Sequence, residues 1–170
     1  GKVSVISENG ETIIRALAQK NVFFFETERP LRLEGFPQSF LPESEQIQTE
    51  SGIAVKQVFP GDPDYPGMEV VTVLESRKGK HAVAMVTSRE SENPLEDAVQ
   101  LVKGVLDQPP AAVIQAHEDI WEEFWAKSGI KIADSDLQNW WYRQSYYLRC
   151  LSRPGAYPVA LQGGYNKKAG

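Results

Sequence analysis

The chain changes its hydrophobic rhythm near Asn93. Before that point apolar residues recur with the period of two that marks strands; after it they recur at spacings of three and four, as on one face of a helix. Val3-Ser4-Val5-Ile6-Ser7 and Asn21-Val22-Phe23-Phe24-Phe25-Glu26 read as strands, rich in β-branched and aromatic side chains. Between them, Ile13-Ile14-Arg15-Ala16-Leu17-Ala18 is ambiguous in period but fits a hairpin extended past the Asn9-Gly10 turn signal. Leu31-Arg32-Leu33 and Ile53-Ala54-Val55-Lys56-Gln57-Val58-Phe59 alternate more clearly, and Pro60 to Gly67 is a loop by its Pro and Gly content. Met68 to Ser76 and His81 to Ser88 flank Arg77-Lys78-Gly79-Lys80, which predicts a second hairpin.

The helical half opens at Asn93-Pro94, with Asn93 as N-cap and Pro94 at the first helical position. Leu95, Ala98, Val99, Val102, Val105 and Leu106 keep one apolar face until Pro109-Pro110. A second helix is expected from Ala111 to Lys127, with Val113, Ala116, Ile120, Trp121 and Phe124 on one side, stopped by Ser128-Gly129. A third begins at Ser135, where Ser135-Asp136-Leu137-Gln138 has the form of a capping box. Trp140, Trp141, Tyr142, Tyr146 and Tyr147 spread around this helix, so it needs neighbours on two sides. Strands followed by helices define an α+β class, with antiparallel strands belonging to part of a β-sandwich.

Composition narrows the function more than it names it. A length of 170 residues supports one sizeable core, and a net charge of −5 with scattered Lys and Arg argues against a nucleic-acid surface. No apolar run approaches the roughly 20 residues of a membrane span, and Gly1-Lys2 leads directly into a strand pattern rather than a signal peptide. The single cysteine, Cys150, excludes an internal disulfide; its apolar and aromatic neighbours predict a buried, inert thiol.

Candidate chemistry is sparse. His81 and His117 have no metal-ligand spacing to each other or to Cys150, and no zincin, paired-cysteine or nucleophile-elbow motif is present. Neither a catalytic residue nor a metal ligand nor a cofactor site is assigned. His117 reads as a surface or packed interface histidine, and Glu118, Asp119, Glu122 and Glu123 as a solvated helix face. Asp62 and Asp64 between prolines fit a turn better than a calcium site. The aromatic helix fits core packing by default, and composition does not separate that from a surface for stacking sugar rings.

The stretch His117 to Asn166, ending in SRPGAYPVALQGGYN, resembles the join between two domains of large inverting glycoside hydrolases. It is most similar to glycoside hydrolase family 95, the α-L-fucosidase type, and the related family 65 phosphorylases carry a similar His-x-x-x-Trp helix, here His117 and Trp121. The family's turn, roughly SSRPGTLPANLQGIWN, is matched at Ser152, Arg153, Pro154, Gly155, Pro158, Leu161, Gln162, Gly163 and Asn166. Where the family has an apolar residue and Trp before the Asn, this chain has Gly164-Tyr165, which leaves the sugar open.

The resemblance implies a β-sandwich portion over 1–93, a helical linker over 94–133 and the start of an (α/α)6 catalytic barrel over 134–170. It implies a carbohydrate substrate contacted by Gln162, Tyr165 and Asn166, the remainder of the barrel as a partner, and an extracellular or periplasmic place. The family's catalytic groups come from later barrel segments, which makes this chain a piece without the catalytic carboxylates. The alternative is a non-catalytic carbohydrate-binding or structural β-sandwich module.

Overall fold

The computed structural model of the chain describes residues 2–8, 10–18, 20–35, 40–64 and 66–152. It is an α+β protein whose described residues form seven antiparallel strands in one sheet and three helices. The strands are β1 (Lys2–Ser7), β2 (Gly10–Ala16), β3 (Val22–Glu26), β4 (Glu45–Gln48), β5 (Gly52–Phe59), β6 (Met68–Arg77) and β7 (Lys80–Thr87). The helices are α1 (Pro94–Leu106), α2 (Pro110–Lys127) and α3 (Ser135–Leu151). The chain divides into two compact units, residues 1–116 and 117–170, with α2 passing from one into the next.

The sheet order β1-β2-β3-β7-β6-β5-β4 joins two meanders by pairing β3 with β7. The ambiguous segment after Asn9-Gly10 is the return strand of the first hairpin, with Ser7 opposite Gly10. The β6–β7 hairpin turns on Lys78 (φ 44°) and Gly79 (φ 76°), with Arg77 opposite Lys80. Two consecutive left-handed residues are what a two-residue turn of matching twist requires. One expectation fails here, and one strand was not anticipated. Leu31-Arg32-Leu33 is not a strand: it alternates, but it follows Pro30 and pairs with nothing in the described sheet. Glu45–Gln48 is one: with a single apolar residue, Ile47, it carries too little pattern to be read, and β5 recruits it as an edge through backbone bonds.

Register fixes which side chains share a face. Val22 and Phe24 of β3, Ala82, Ala84 and Val86 of β7, Val71 and Val73 of β6, and Ala54 of β5 all point to one side. They are buried with Ala98, Val102, Val105, Leu106 and Val113 in a single core, under α1. The alanines on β7 stand between bulkier strands and let the helix approach closely. Glu75, 2% exposed on this same face, is held by Arg77 at 2.6 Å, and Arg77 reaches on to Asp107 just past α1. Arg15 is likewise buried against Glu26.

The opposite face is apolar as well, and incompletely covered. Toward β5 and β6, Val55 and Leu74 are buried, and the preceding loop lies nearby, with Gln57 donating to the Pro42 carbonyl at 2.9 Å. His81 is buried on this face between Ser76 Oγ (2.7 Å) and the Thr27 carbonyl (3.0 Å). Because a carbonyl only accepts, Nε2 carries the proton in the neutral ring and Nδ1 accepts from Ser76. Toward β1 and β3 the face is bare: Val3, Val5, Phe23 and Met85 are 46–58% exposed.

The helices start close to where they were expected, by somewhat different means. Asn93 precedes α1, but its side chain makes no capping bond. For α3 the cap is Asp134 rather than Ser135: its carboxylate accepts from the N–H groups of Asp136 and Leu137, both at 3.0 Å. Gln138 still reaches back, one register displaced, to accept from the Ile132 N–H at 3.1 Å. A carboxylate also complements the positive end of the helix, which a serine does not. No helix among the described residues is long and apolar enough to cross a membrane.

Candidate functional site

Gln162, Tyr165 and Asn166, expected to contact substrate, lie outside the described residues, as does Arg153. What is described is the helix that precedes them in the chain. The last turn of α3 is closed by the Ser152 N–H bonding to the Leu148 carbonyl at 2.9 Å. Arg149 donates to the Ser152 carbonyl at 3.1 Å and sits 5.9 Å from the Phe124 ring centroid. Arg149 and, through it, Ser152 are thereby tied to α2 at the C-terminal threshold of α3.

Behind this threshold the second unit is built from aromatic rings. Trp121 stacks on Tyr146 (centroids 5.1 Å apart, planes 28°), and Trp125 lies against Tyr142 (5.6 Å). Pairing of 121 with 146 and 125 with 142 means that α2 and α3 run antiparallel. Trp121 also meets Trp125 and Phe124, and His117 approaches Trp121 edge-on at 6.4 Å. Edge-to-face and offset arrangements are the favourable ones for ring quadrupoles. Tyr142 anchors the interhelical loop by donating to the Ile130 carbonyl at 3.1 Å. The Trp121 indole N–H is buried and has no acceptor among the described residues.

These contacts separate two roles left open by the sequence. Tyr142 and Tyr146 are packing groups whose ring faces are occupied by tryptophans of α2. Trp140 (59% exposed) and Tyr147 (49%) are not. Together with Leu137, Leu148 and Leu151, also exposed, they fall within an arc of about 100° on α3 at 100° per residue. This arc is opposite the side bearing Tyr142 and Tyr146. The helix therefore has one packed and one bare apolar face, and no residue of it is fully buried.

Cys150 is exposed, contrary to the buried thiol expected from its neighbours. Its aromatic neighbours one turn back, Tyr146 and Tyr147, share its side of α3 but are themselves only partly buried or exposed and do not cover the thiol. Its thiol is hydrogen-bonded with the Tyr146 hydroxyl, which raises the tyrosine's pKa above its ordinary value, partial burial adding to the effect. Glu118, Asp119, Glu122 and Glu123 are all exposed, as expected of a solvated face, and Lys127 beside Glu123 lowers that carboxyl's pKa. His117 is buried rather than on the surface. Asp62 accepts from the Asp64 N–H at 2.9 Å, the bond of a local turn. Among the described residues no group of three or more His, Cys, Asp or Glu is arranged to hold a metal ion.

No family model matches the chain, and neither a curated protein nor a solved structure matches it. The class that the fold defines is thus an α+β protein: a helix-backed antiparallel sheet followed by an aromatic helical hairpin.

Proposed function

We propose that this chain is a portion of an inverting, carbohydrate-active glycoside hydrolase similar to glycoside hydrolase family 95. It would comprise the late β-sandwich, the helical linker and the first helix of the (α/α)6 barrel, with α-L-fucosides as one candidate substrate class. The observation that carries the reading is the spaced run from Ser152 to Asn166, placed directly after an aromatic helix. Two structural features support it. The sheet leaves Val3, Val5, Phe23 and Met85 uncovered, as a sandwich layer does before its partner layer closes over it. The bare stripe of α3 suits a helix with a neighbour on each side, as in a toroid of paired helices.

On this reading the chemistry comes from carboxylates elsewhere in the barrel. One protonates the leaving oxygen while a base, about 6.5–9.5 Å away, activates water on the opposite face of the ring. Gln162 and Asn166 offer a donor and an acceptor each to sugar hydroxyls without adding charge, and Tyr165 offers a ring face.

The test uses the protein that contains this chain together with a complete barrel. It is expected to hydrolyse an aryl glycoside with inversion, followed by NMR of the first-formed anomer, while the 170-residue chain alone is inactive. Asn166→Ala should lower kcat/KM by an amount worth roughly 1–3 kcal/mol with thermal stability nearly unchanged, whereas Arg153→Ala should lower stability first. Retention at the anomeric carbon would overturn the inverting mechanism, and sugar binding without turnover in the larger protein would replace the hydrolase reading with a binding module.

A further inference from the structure

A cleft of about 370 Å³ opens in the first unit where α1 fails to cover one end of the sheet. Its walls come from three places. The β2–β3 connection gives Lys20 and Asn21, the turn after β7 gives Glu90, and α1 gives Asp97, Gln100, Leu101 and Gly104. Those four helix positions, spaced by three and four, form one stripe beside the buried stripe of Ala98, Val102 and Val105. Val86, buried on β7, makes the floor.

Three features distinguish this cleft from a packing gap. First, the wall is low at a glycine inside a helix: a Cβ at Gly104 would meet nothing within 4 Å. Second, one rim group is held in place. Glu90 accepts from the Thr87 N–H (3.2 Å) and Thr87 Oγ (2.9 Å) through one oxygen and from Asn21 Nδ2 (3.2 Å) through the other. Third, the volume falls in the range of about 300–1,000 Å³ typical of small-molecule sites.

The chemistry of the rim selects the ligand. Lys20 donates, Glu90 and Asp97 accept, and Gln100 does both, around an aliphatic floor of Val86 and Leu101. An anion would face two carboxylates, and a cation would face the Lys20 ammonium. A neutral molecule with adjacent hydroxyls matches every one of these groups, with its C–H face on the floor. We infer that this cleft is a binding site for a small saccharide or similar polyol, formed by residues other than Gln162, Tyr165 and Asn166. The assignment stands on the cleft and does not depend on the hydrolase reading.

The test is a titration of the 170-residue chain with maltose and, separately, methyl α-L-fucopyranoside, followed by amide NMR shifts. Saturable shifts confined to Asn21, Glu90, Gln100 and Gly104 and their neighbours are expected. The double variant Asp97→Ala/Gln100→Ala, both exposed positions, should weaken binding by about fivefold or more, the value of a hydrogen bond or two. Gly104→Leu should abolish it, because the new side chain enters the cleft, while leaving shifts elsewhere in place. Absence of saturable shifts at roughly 50 mM sugar would overturn the inference. So would binding that Gly104→Leu leaves intact, or a preference for n-butylammonium over both sugars. None of these outcomes bears on turnover by the larger protein, so the two readings fail separately.

Discussion

Phe23 and Phe24 are adjacent, identical and opposite in fate. Phe24 is 1% exposed in the core beneath α1, between Arg15 on β2 and Ala82 on β7; Phe23 is 49% exposed on the bare face. Truncating Phe24 to alanine removes a buried ring beside a residue as small as Ala82, which cannot expand into the space. The loss should lie near 4 kcal/mol, within the roughly 3–5 kcal/mol seen for such cavities. Phe23→Ala gives up only the half of its ring that is out of water, worth about 1 kcal/mol. A unit of this size has a total stability of order 10 kcal/mol, so the first change is severe and the second mild. The reporter must be chosen with care. The tryptophans, Trp121, Trp125, Trp140 and Trp141, all lie in the second unit, so indole fluorescence is silent on the sheet. Urea unfolding should instead be followed by hydrogen exchange of β6 and β7 amides, alongside far-UV circular dichroism. If Phe23→Ala costs as much as Phe24→Ala, the face that carries Phe23 is covered in solution and the one-sided packing argued here is wrong.

Three further outcomes follow from the same structure. Gly104→Ala, in mid-helix with open space at Cβ, should stabilise α1 by about 0.5–1 kcal/mol in the same exchange experiment, and a loss instead would mean the site is not open. Tyr146 has a raised folded pKa, so its contribution to stability is present in full below the unfolded tyrosine value near 10 and is lost as pH rises through the folded value. Cys150→Ala removes the hydrogen bond behind that shift; tyrosinate absorbance should then rise at lower pH than in the parent, and an unchanged titration would dismiss the bond as its cause. Replacing Trp140 and Leu148 by serine should lower self-association of the chain in sedimentation without changing its helix content, since both are exposed on α3. Equal association of parent and variant would show that the stripe is not sticky.

Much of the architecture was legible in residue patterns, because those patterns record local and self-consistent preferences. The β-branched runs on either side of Lys78-Gly79 dictate a hairpin, Pro94 marks a helix start, and the change of period at Asn93 separates sheet from helices; Pro110, read as a stop for α1, is instead the first residue of α2. The acidic face of α2 and the Asp62–Asp64 turn were also readable, since charge seeks water and short aspartates bond their own backbone. β4 was not, because an edge strand is made by its neighbour's unpaired N–H and C=O groups rather than by its own side chains. The cleft at Gly104 was illegible too, because Lys20 and Asn21 of the β2–β3 connection are far in the chain from the β7 end and α1 that complete it.

The run Phe23-Phe24-Phe25 states the division most compactly. By itself the sequence determines that these residues extend and alternate, for three consecutive rings with β-branched company admit little else. It cannot say which ring is buried, since period two is symmetric between the faces and all three are the same residue. Only the pairing of Phe24 with Ala82 across β3 and β7, and the placing of α1 above that side, decides it. The same holds on α3, where Trp and Tyr are spread around the cylinder and the partners on α2 choose Tyr142 and Tyr146 for packing while leaving Trp140 bare. Local pattern fixes a side chain's direction relative to its own element; burial is a property of what lies opposite, and that is set by contacts between residues far apart in the chain.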